Sequence, residues 1–160
     1  MNFDVLIIGA GPSGLSAGIR LAQLAKKNNK ELSVSVVEKG SEVGAHILSG
    51  AVLETKALDE LIPDWKSKDT PLKTETKKDN FILLTKNKSF KLPTPPQMKN
   101  DGNYIISLGN FCRWLAKQAE ELGVNIFSGF AASEILYDEK TKKVIGIRIG
   151  DQGIDKNGKQ

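Results

Sequence analysis

The sequence predicts an α/β fold with a parallel sheet, of the Rossmann-like βαβ type, and three observations predict it. An unbroken apolar run, Val5-Leu6-Ile7-Ile8, leads straight into Gly9-Ala10-Gly11-Pro12-Ser13-Gly14. A helical pattern follows, and a second β-rich run, Ser33 to Val37, ends in an acid, Glu38. An apolar run without polar interruption reads as a parallel strand buried on both faces. In the turn, Gly9 permits the tight exit from the strand, and Gly11 lets the backbone approach a pyrophosphate without a Cβ in the way. Gly14 lets the helix pack close to the sheet, and the helix N-terminus favours an anion. The helix is expected from about Ser13 to Lys27, with Leu15, Ile19 and Ala22 on one face and Asn28-Asn29 as its stop. Glu38 stands 24 residues after Gly14, close to the roughly 20 expected of the carboxylate that accepts hydrogen bonds from an adenosine ribose. A carboxylate there disfavours a 2'-phosphate, which argues against an NADP-type ligand.

The whole chain sets bounds on the chemistry. Its 160 residues, 39% of them hydrophobic, suffice for one ordinary domain. The net charge of +4 comes from lysines spread through turns and helix faces, without an Arg/Lys stripe interleaved with aromatics, so a solvated surface is expected and nucleic acid is not. A modest attraction to anionic lipid stays open. Cys112 is the one cysteine, which excludes an internal disulfide framework and a four-thiolate metal site, so redox chemistry requires a bound cofactor. The chain starts only two residues ahead of the first strand and has no apolar run near the ~20 residues that span a bilayer. An intracellular or peripheral chain is the expectation.

After Glu38 and Lys39, the stretch Gly40 to Gly50 is rich in glycine and serine. Read from composition, it is either a backbone-rich loop that supplies donors to a nucleotide or an ordinary connection. His46, the sole histidine, lies in it without a carboxylate partner at a motif spacing and reads as structural or exposed. Lys56 to Trp65 predicts a short helix stopped at Pro63, and Lys66 to Asp79 reads as polar turn. Phe81 to Thr85 and Ser89 to Leu92 predict a hairpin about Lys86-Asn87-Lys88, ended by the prolines from Pro93. This excursion is long for a crossover and is expected to form a feature of its own. It suits a lipid-facing surface or an internal cover equally.

Tyr104 to Ser107 predicts a strand, and Asn110 to Leu122 a helix with Phe111, Leu115, Ala119 and Leu122 on one face and Gly123 as C-cap. Arg113, near its first turn, either reaches a cofactor phosphate or pairs with surface acids of the Glu120 kind. Cys112 and Trp114 read as packing residues. Val124 to Phe127 predicts the strand that returns to the sheet, and the small residues Ala131 and Ala132 beyond it allow backbone contact with a flat ring. Glu134 to Tyr137 and Val144 to Ile149 predict a second hairpin, and the tail from Gly150 to Gln160 reads as loop.

Taken together, GAGPSGLSAGIRL, VVEKGSEVGAHILSGAVLE with ALDELIPDW, and LPTPPQM with GNYIISLGNF and QAEELGV resemble electron-transfer flavoprotein:ubiquinone oxidoreductase, from Phe3 to about Ile149. The resemblance implies an FAD-binding Rossmann-like domain in a flavoprotein oxidoreductase. In that family an FAD and a [4Fe-4S] cluster serve electron transfer from reduced electron-transfer flavoprotein to ubiquinone at the membrane. It implies that Gly9, Gly11 and Gly14, with Pro12 and Ser13 between them, hold the FAD pyrophosphate, and that Glu38, beside Lys39, holds the adenosine ribose. The loop carrying Gly44, Ala45, His46, Ser49 and Gly50 would approach the flavin side, and Ala131-Ala132 the adenine, while Arg113 keeps the two readings given above. No nucleophile or catalytic residue is needed for outer-sphere electron transfer.

The family's membrane-associated hairpin corresponds to Phe81 to Met98, which implies a peripheral inner-membrane location, on the cytoplasmic face in a bacterium. Family members are several times longer. Residues 1–160 are therefore expected to be the N-terminal part of an incomplete FAD domain, inactive alone. The later FAD motif, the quinone domain and the cluster ligands are expected outside this chain. The alternatives are a related FAD enzyme of the geranylgeranyl-reductase or aromatic-hydroxylase (monooxygenase) type, and a non-catalytic dinucleotide-binding fragment. A nicotinamide-dependent oxidoreductase fits less well, because a compact βαβαβ half runs directly into its third strand.

Overall fold

The computed structural model describes residues 1–150. In chain order its elements begin with β1 (Val5–Ile8), α1 (Pro12–Lys27), β2 (Val34–Glu38), β3 (Gly50–Leu53), α2 (Lys56–Leu61) and β4 (Thr74–Glu75). They continue with β5 (Phe81–Leu84), β6 (Ser89–Leu92), β7 (Tyr104–Ser107), α3 (Leu108–Glu121), β8 (Asn125–Ser128), β9 (Ala132–Tyr137) and β10 (Val144–Ile149). The chain divides into two units, one of residues 1–48 with 112–150 and the other of residues 49–111.

In the first unit β2 lies between β1 and β8, and all three strands are parallel. Register between β1 and β2 starts at Val5 opposite Val34, next to a clasp in which the Asp4 carboxylate accepts the Ser33 N–H at 2.8 Å and the Ser33 hydroxyl at 2.6 Å. Those hydrogen bonds hold the Asp4 carboxyl below its ordinary pKa. The strand covered on both faces is β2, whose Val34, Val36 and Val37 are buried together with Ser35. The expectation that the first apolar run is buried on both faces is corrected. Among the described residues β1 is an edge strand, its residues only partly covered and Ile8 58% exposed.

Leu15, Gly18 and Ile19 form the buried stripe of α1, where a Cβ on Gly18 would touch Val124, Ile7 and Val36. The helix stops as expected at Asn28, whose side-chain amide donates to the Leu24 carbonyl at 2.7 Å, and Asn29 turns the chain with φ of 49°. Gly123, at φ +88°, closes α3, and the Val124 N–H reaches back to the Ala119 carbonyl. Hairpin β9–β10 is antiparallel, with register shifts near both ends. Phe127 meets Phe130 edge-on and Phe3 at a tilt, and the three line an apolar groove of about 670 Å³ with Leu6, Val37 and Ile147.

The second unit holds an antiparallel sheet in the order β3-β7-β4 and the separate hairpin β5–β6. Strands β3 and β4 are absent from the expectations above. The helix expected to reach Trp65 ends at Leu61, because Pro63 disfavours helical backbone at the residue before it. Ile62 accordingly sits at φ −135°, ψ 77°, and Trp65 begins a separate 3-10 turn. Trp65 is buried, its indole N–H donates to Asp59 at 2.6 Å, and its ring meets Tyr104 edge to face at 5.6 Å. That hydrogen bond, with one from Thr55, holds the Asp59 carboxyl below its ordinary pKa. The expected tail from Gly150 to Gln160 lies, after its first residue, outside the described residues.

Candidate dinucleotide-binding site

The turn between β1 and α1 is built on three different demands. Gly9 has φ +98°, a conformation L-residues rarely adopt. Gly14 lies under the Gly9 carbonyl, and a Cβ there would stand 2.0 Å from that oxygen. Gly11, the N-cap of α1, has φ −79° and nothing within 4 Å of a Cβ. Folding thus explains Gly9 and Gly14 but leaves Gly11 unexplained. Pro12 occupies the first helical turn, where its missing N–H costs nothing. No side chain caps α1, so the first-turn amides and the positive end of the helix dipole remain available to an anion such as a pyrophosphate. Ser13, in this turn, is exposed.

Glu38 closes the site from β2. One carboxylate oxygen accepts the Ala10 N–H at 2.9 Å and the other accepts the Gly40 N–H at 2.7 Å, so the acid braces the glycine turn and the exit of β2 at once. Each carboxylate oxygen has a second lone pair, which leaves acceptor capacity for a ribose diol. The main chain continues the brace. The Glu38 carbonyl accepts the Phe130 N–H at 2.8 Å, and the Gly40 carbonyl accepts the Gly129 N–H at 2.7 Å. This double role of Glu38, and the part played by Gly40, are not legible in the sequence; the spacing to Glu38 marks a ribose acid but not its backbone partners.

Arg113 meets a surface acid, though on the loop after β2 and not on its own helix. Its guanidinium donates to the Val43 carbonyl at 3.4 Å and stands 3.9 Å from the Glu42 carboxylate. It thereby anchors the loop that follows Glu38, where Gly44 takes φ +84°. Lys39, Ala45 and His46 are exposed on or beside this loop. Cys112 is fully buried beneath, and burial pushes its thiol pKa up, with Arg113 acting against this and Glu38 adding to it.

Ser49 and Gly50 belong to the second unit, where a Cβ on Gly50 would come within 2.8 Å of the Ile106 carbonyl. The close crossing of β3 and β7 accounts for that glycine. Ala132 pairs with Ile149 in the β9–β10 ladder, and the Ala131 carbonyl accepts the Gly150 N–H at 2.8 Å. Part of the backbone expected to face adenine is therefore already engaged. Among the described residues no group of three or more His, Cys, Asp or Glu could hold a metal ion.

Glu38→Gln is expected to cost about 1–3 kcal/mol, because an amide accepts through one oxygen and leaves either Ala10 or Gly40 without its partner. A thermal melt should show the midpoint lowered by roughly 2–12 °C; an unchanged midpoint would mean that the brace carries no stability.

The fold is that of a Rossmann-like α/β protein, with the glycine turn and Glu38 as its candidate dinucleotide site. Residues 7–62 match the family model described as an NAD(P)-binding Rossmann-like domain. Solved structures share the fold. One is a geranylgeranyl bacteriochlorophyll reductase-like protein from Thermoplasma acidophilum, with TM-score 0.67 and 23% identity over 92% of this chain and 34% of that one. Another is the myxobacterial chondrochloren halogenase, a FAD-dependent halogenase, with TM-score 0.60 and 17% identity over 94% and 33% of the two chains.

Within that class, the sequence is highly similar over nearly its whole length to curated electron transfer flavoprotein-ubiquinone oxidoreductases. Identity is 62% with the mitochondrial protein of Dictyostelium discoideum, covering 98% of this chain and 26% of that protein. It is 58% with the protein of Pseudomonas aeruginosa, covering 99% and 29%. With the mitochondrial protein of Rattus norvegicus it is 49%, covering 97% and 25%. The chain thus spans about a quarter of the length of the curated relatives it matches.

Proposed function

We propose that this chain is the N-terminal FAD-binding part of an electron-transfer flavoprotein:ubiquinone oxidoreductase, and that it serves electron transfer from reduced electron-transfer flavoprotein to ubiquinone. The observation that carries the FAD reading is the juxtaposition of the uncapped helix start at Gly11 with the Glu38 carboxylate, joined through Ala10. The choice among FAD enzymes rests on the identity to the relatives. Gly9, Gly11 and Gly14, with Pro12 and Ser13, would hold the pyrophosphate, and Glu38, beside Lys39, the ribose. The loop with Gly44, Ala45 and His46 would lie toward the flavin, Ala131 and Ala132 toward the adenine. Arg113, through Glu42 and Val43, would position the loop, close to a phosphate.

Bound FAD supplies the redox chemistry, while this chain's residues bind and orient it. The chain's one cysteine does not fit a [4Fe-4S] cluster, which takes four thiolates, so the ligands of such a cluster would lie outside this sequence. We place the protein peripherally on the inner membrane, through the Phe81 to Met98 segment. The hairpin there exposes Phe81, Ile82, Leu83, Leu84, Phe90 and Leu92. No described helix is long and apolar enough to cross a membrane.

Titrated with FAD, the chain is expected to quench flavin fluorescence with a Kd above about 1 μM, since it supplies only part of the contacts. Gly11→Ala should keep the wild-type melting curve, there being open space for the Cβ, and lose about ten-fold or more in affinity, equivalent to about 1.4 kcal/mol. Sub-micromolar binding would overturn the incomplete-site reading, and equal binding by Gly11→Ala would overturn the assignment of the turn. The activity is tested on the complete natural gene product. Flavin with about four irons and ubiquinone reduction by reduced electron-transfer flavoprotein support it; flavin without iron favours the reductase or hydroxylase type.

A further inference from the structure

The chain's positive charge is concentrated around the exposed hairpin. Between positions 72 and 100 seven lysines face two acids, Glu75 and Asp79, an excess larger than the net +4 of the entire chain. The rest of the sequence is nearly neutral, its lysines balanced by acids. Cross-strand register shows what these lysines surround. Phe81 pairs with Leu92 and Leu83 with Phe90, and paired residues share a face, so one side of β5–β6 is wholly apolar. The other side carries Ile82 opposite Lys91 and Leu84 opposite Ser89. All eight residues are exposed, and an isolated two-stranded ribbon is marginal in water.

The neck of the excursion is fastened nonetheless. The Asp79 carboxylate accepts the Asn100 backbone N–H at 2.7 Å and its side-chain amide at 3.0 Å, which keeps the Asp79 carboxyl below its ordinary pKa. Asp79 is thus occupied in the neck, and the lysines at the tip, Lys86 and Lys88, have no acid within the hairpin to neutralise them.

We propose that the β5–β6 hairpin is a selective binder of anionic lipid headgroups, its apolar face lying in the bilayer interface while Lys86, Lys88 and Lys91 engage the surface charge. This deepens, and rests on, the peripheral-membrane reading above. The occupant follows from charge complementarity: an apolar face flanked by uncompensated lysines matches a negatively charged lipid surface better than neutral lipid or a second, equally basic hairpin. Each lysine near an anionic surface contributes roughly five-fold in binding, and three together on the order of a hundred-fold.

The test is co-sedimentation of the full chain with vesicles of phosphatidylcholine alone and of phosphatidylcholine with phosphatidylglycerol. Binding to the anionic vesicles is expected to be tens of times tighter. It should weaken as salt shortens the Debye length to about 3 Å, and should fall to the neutral-vesicle level in Lys86→Gln/Lys88→Gln/Lys91→Gln. These lysines are exposed, so circular dichroism of the triple variant should match the wild type. Equal binding to both vesicles that Phe90→Ser abolishes would overturn the headgroup selectivity and leave the membrane reading standing. Binding to neither would overturn both. Dimerisation in solution that Phe90→Ser abolishes, without lipid binding, would assign the face to a second copy and overturn the proposal.

Discussion

Gly14→Ala is expected to lower the thermal midpoint by roughly 10 °C or more, the consequence of a destabilisation of at least about 4 kcal/mol. The added Cβ would lie 2.0 Å from the Gly9 carbonyl oxygen and 3.2 Å from the Ile7 side chain. The first obstacle is backbone, so relief requires the helix start to move off the sheet. Such a shift would also disturb the Ala10 amide that Glu38 accepts, and FAD uptake should disappear with it. Gly18→Ala is the matched comparison on the same helix. Its Cβ would meet Val124 at 3.5 Å and Ile7 and Val36 at 3.7 Å, ordinary contacts, while alanine gains about 1 kcal/mol of helix propensity over glycine. A melt of Gly18→Ala at or above the wild-type midpoint, beside a collapsed Gly14→Ala, would establish that contact distance decides between the two glycines. Similar midpoints for both would refute the packing argument.

The second large effect is expected at Trp65. Trp65→Ala should cost about 3–5 kcal/mol, the range for removing a large buried aromatic, and lower the midpoint by roughly 6–20 °C. The indole fills the second unit beside Tyr104 and holds Asp59 through its N–H. Trp65→Phe keeps a ring beside Tyr104 but gives up part of the buried indole volume and the hydrogen bond to the Asp59 carboxylate, a bond worth about 1.5–3 kcal/mol. Phenylalanine should therefore restore part of the loss, the part carried by the ring it retains. If Trp65→Phe is as unstable as Trp65→Ala, the ring that phenylalanine retains contributes nothing and the packing account of Trp65 fails.

What is legible in the sequence, and what is not, follows from the range of the forces involved. The glycine turn, α1 with its Asn28 stop, β2 ending at Glu38, the hairpins and the Gly123 cap all depend on local backbone chemistry, and local chemistry is written in adjacent residues. Trp65 reads as part of α2 because Leu58, Leu61 and Ile62 continue a helical stripe, although Pro63 has already ended the helix. β3 escapes notice because Gly50-Ala51-Val52-Leu53 has weak strand character of its own and is held by pairing with β7. The exposure of β1 shows the same limit from the other side. An apolar run states that a strand can be buried on both faces, whereas its neighbours decide whether it is. In the site, Glu38 is legible as an acid at the right spacing. Its grip on Ala10 and Gly40, and the turn of Arg113 toward Glu42, depend on which loops meet, and no local pattern records that.

The place of β2 in the sheet has a consequence for synthesis. Its two neighbours lie far apart along the chain: β1 precedes it closely, but Asn125, opposite Ser35, comes 90 residues later. The whole second unit, residues 49–111, is made in between. At about 5–20 residues per second, those 63 residues take roughly 3–13 s to emerge. Through that interval the free side of Val34-Ser35-Val36-Val37 is an unpaired, valine-rich edge on the ribosome. The nascent chain is then most open to capture by chaperones or to pairing with the wrong strand, and the arrival of β8 ends that exposure.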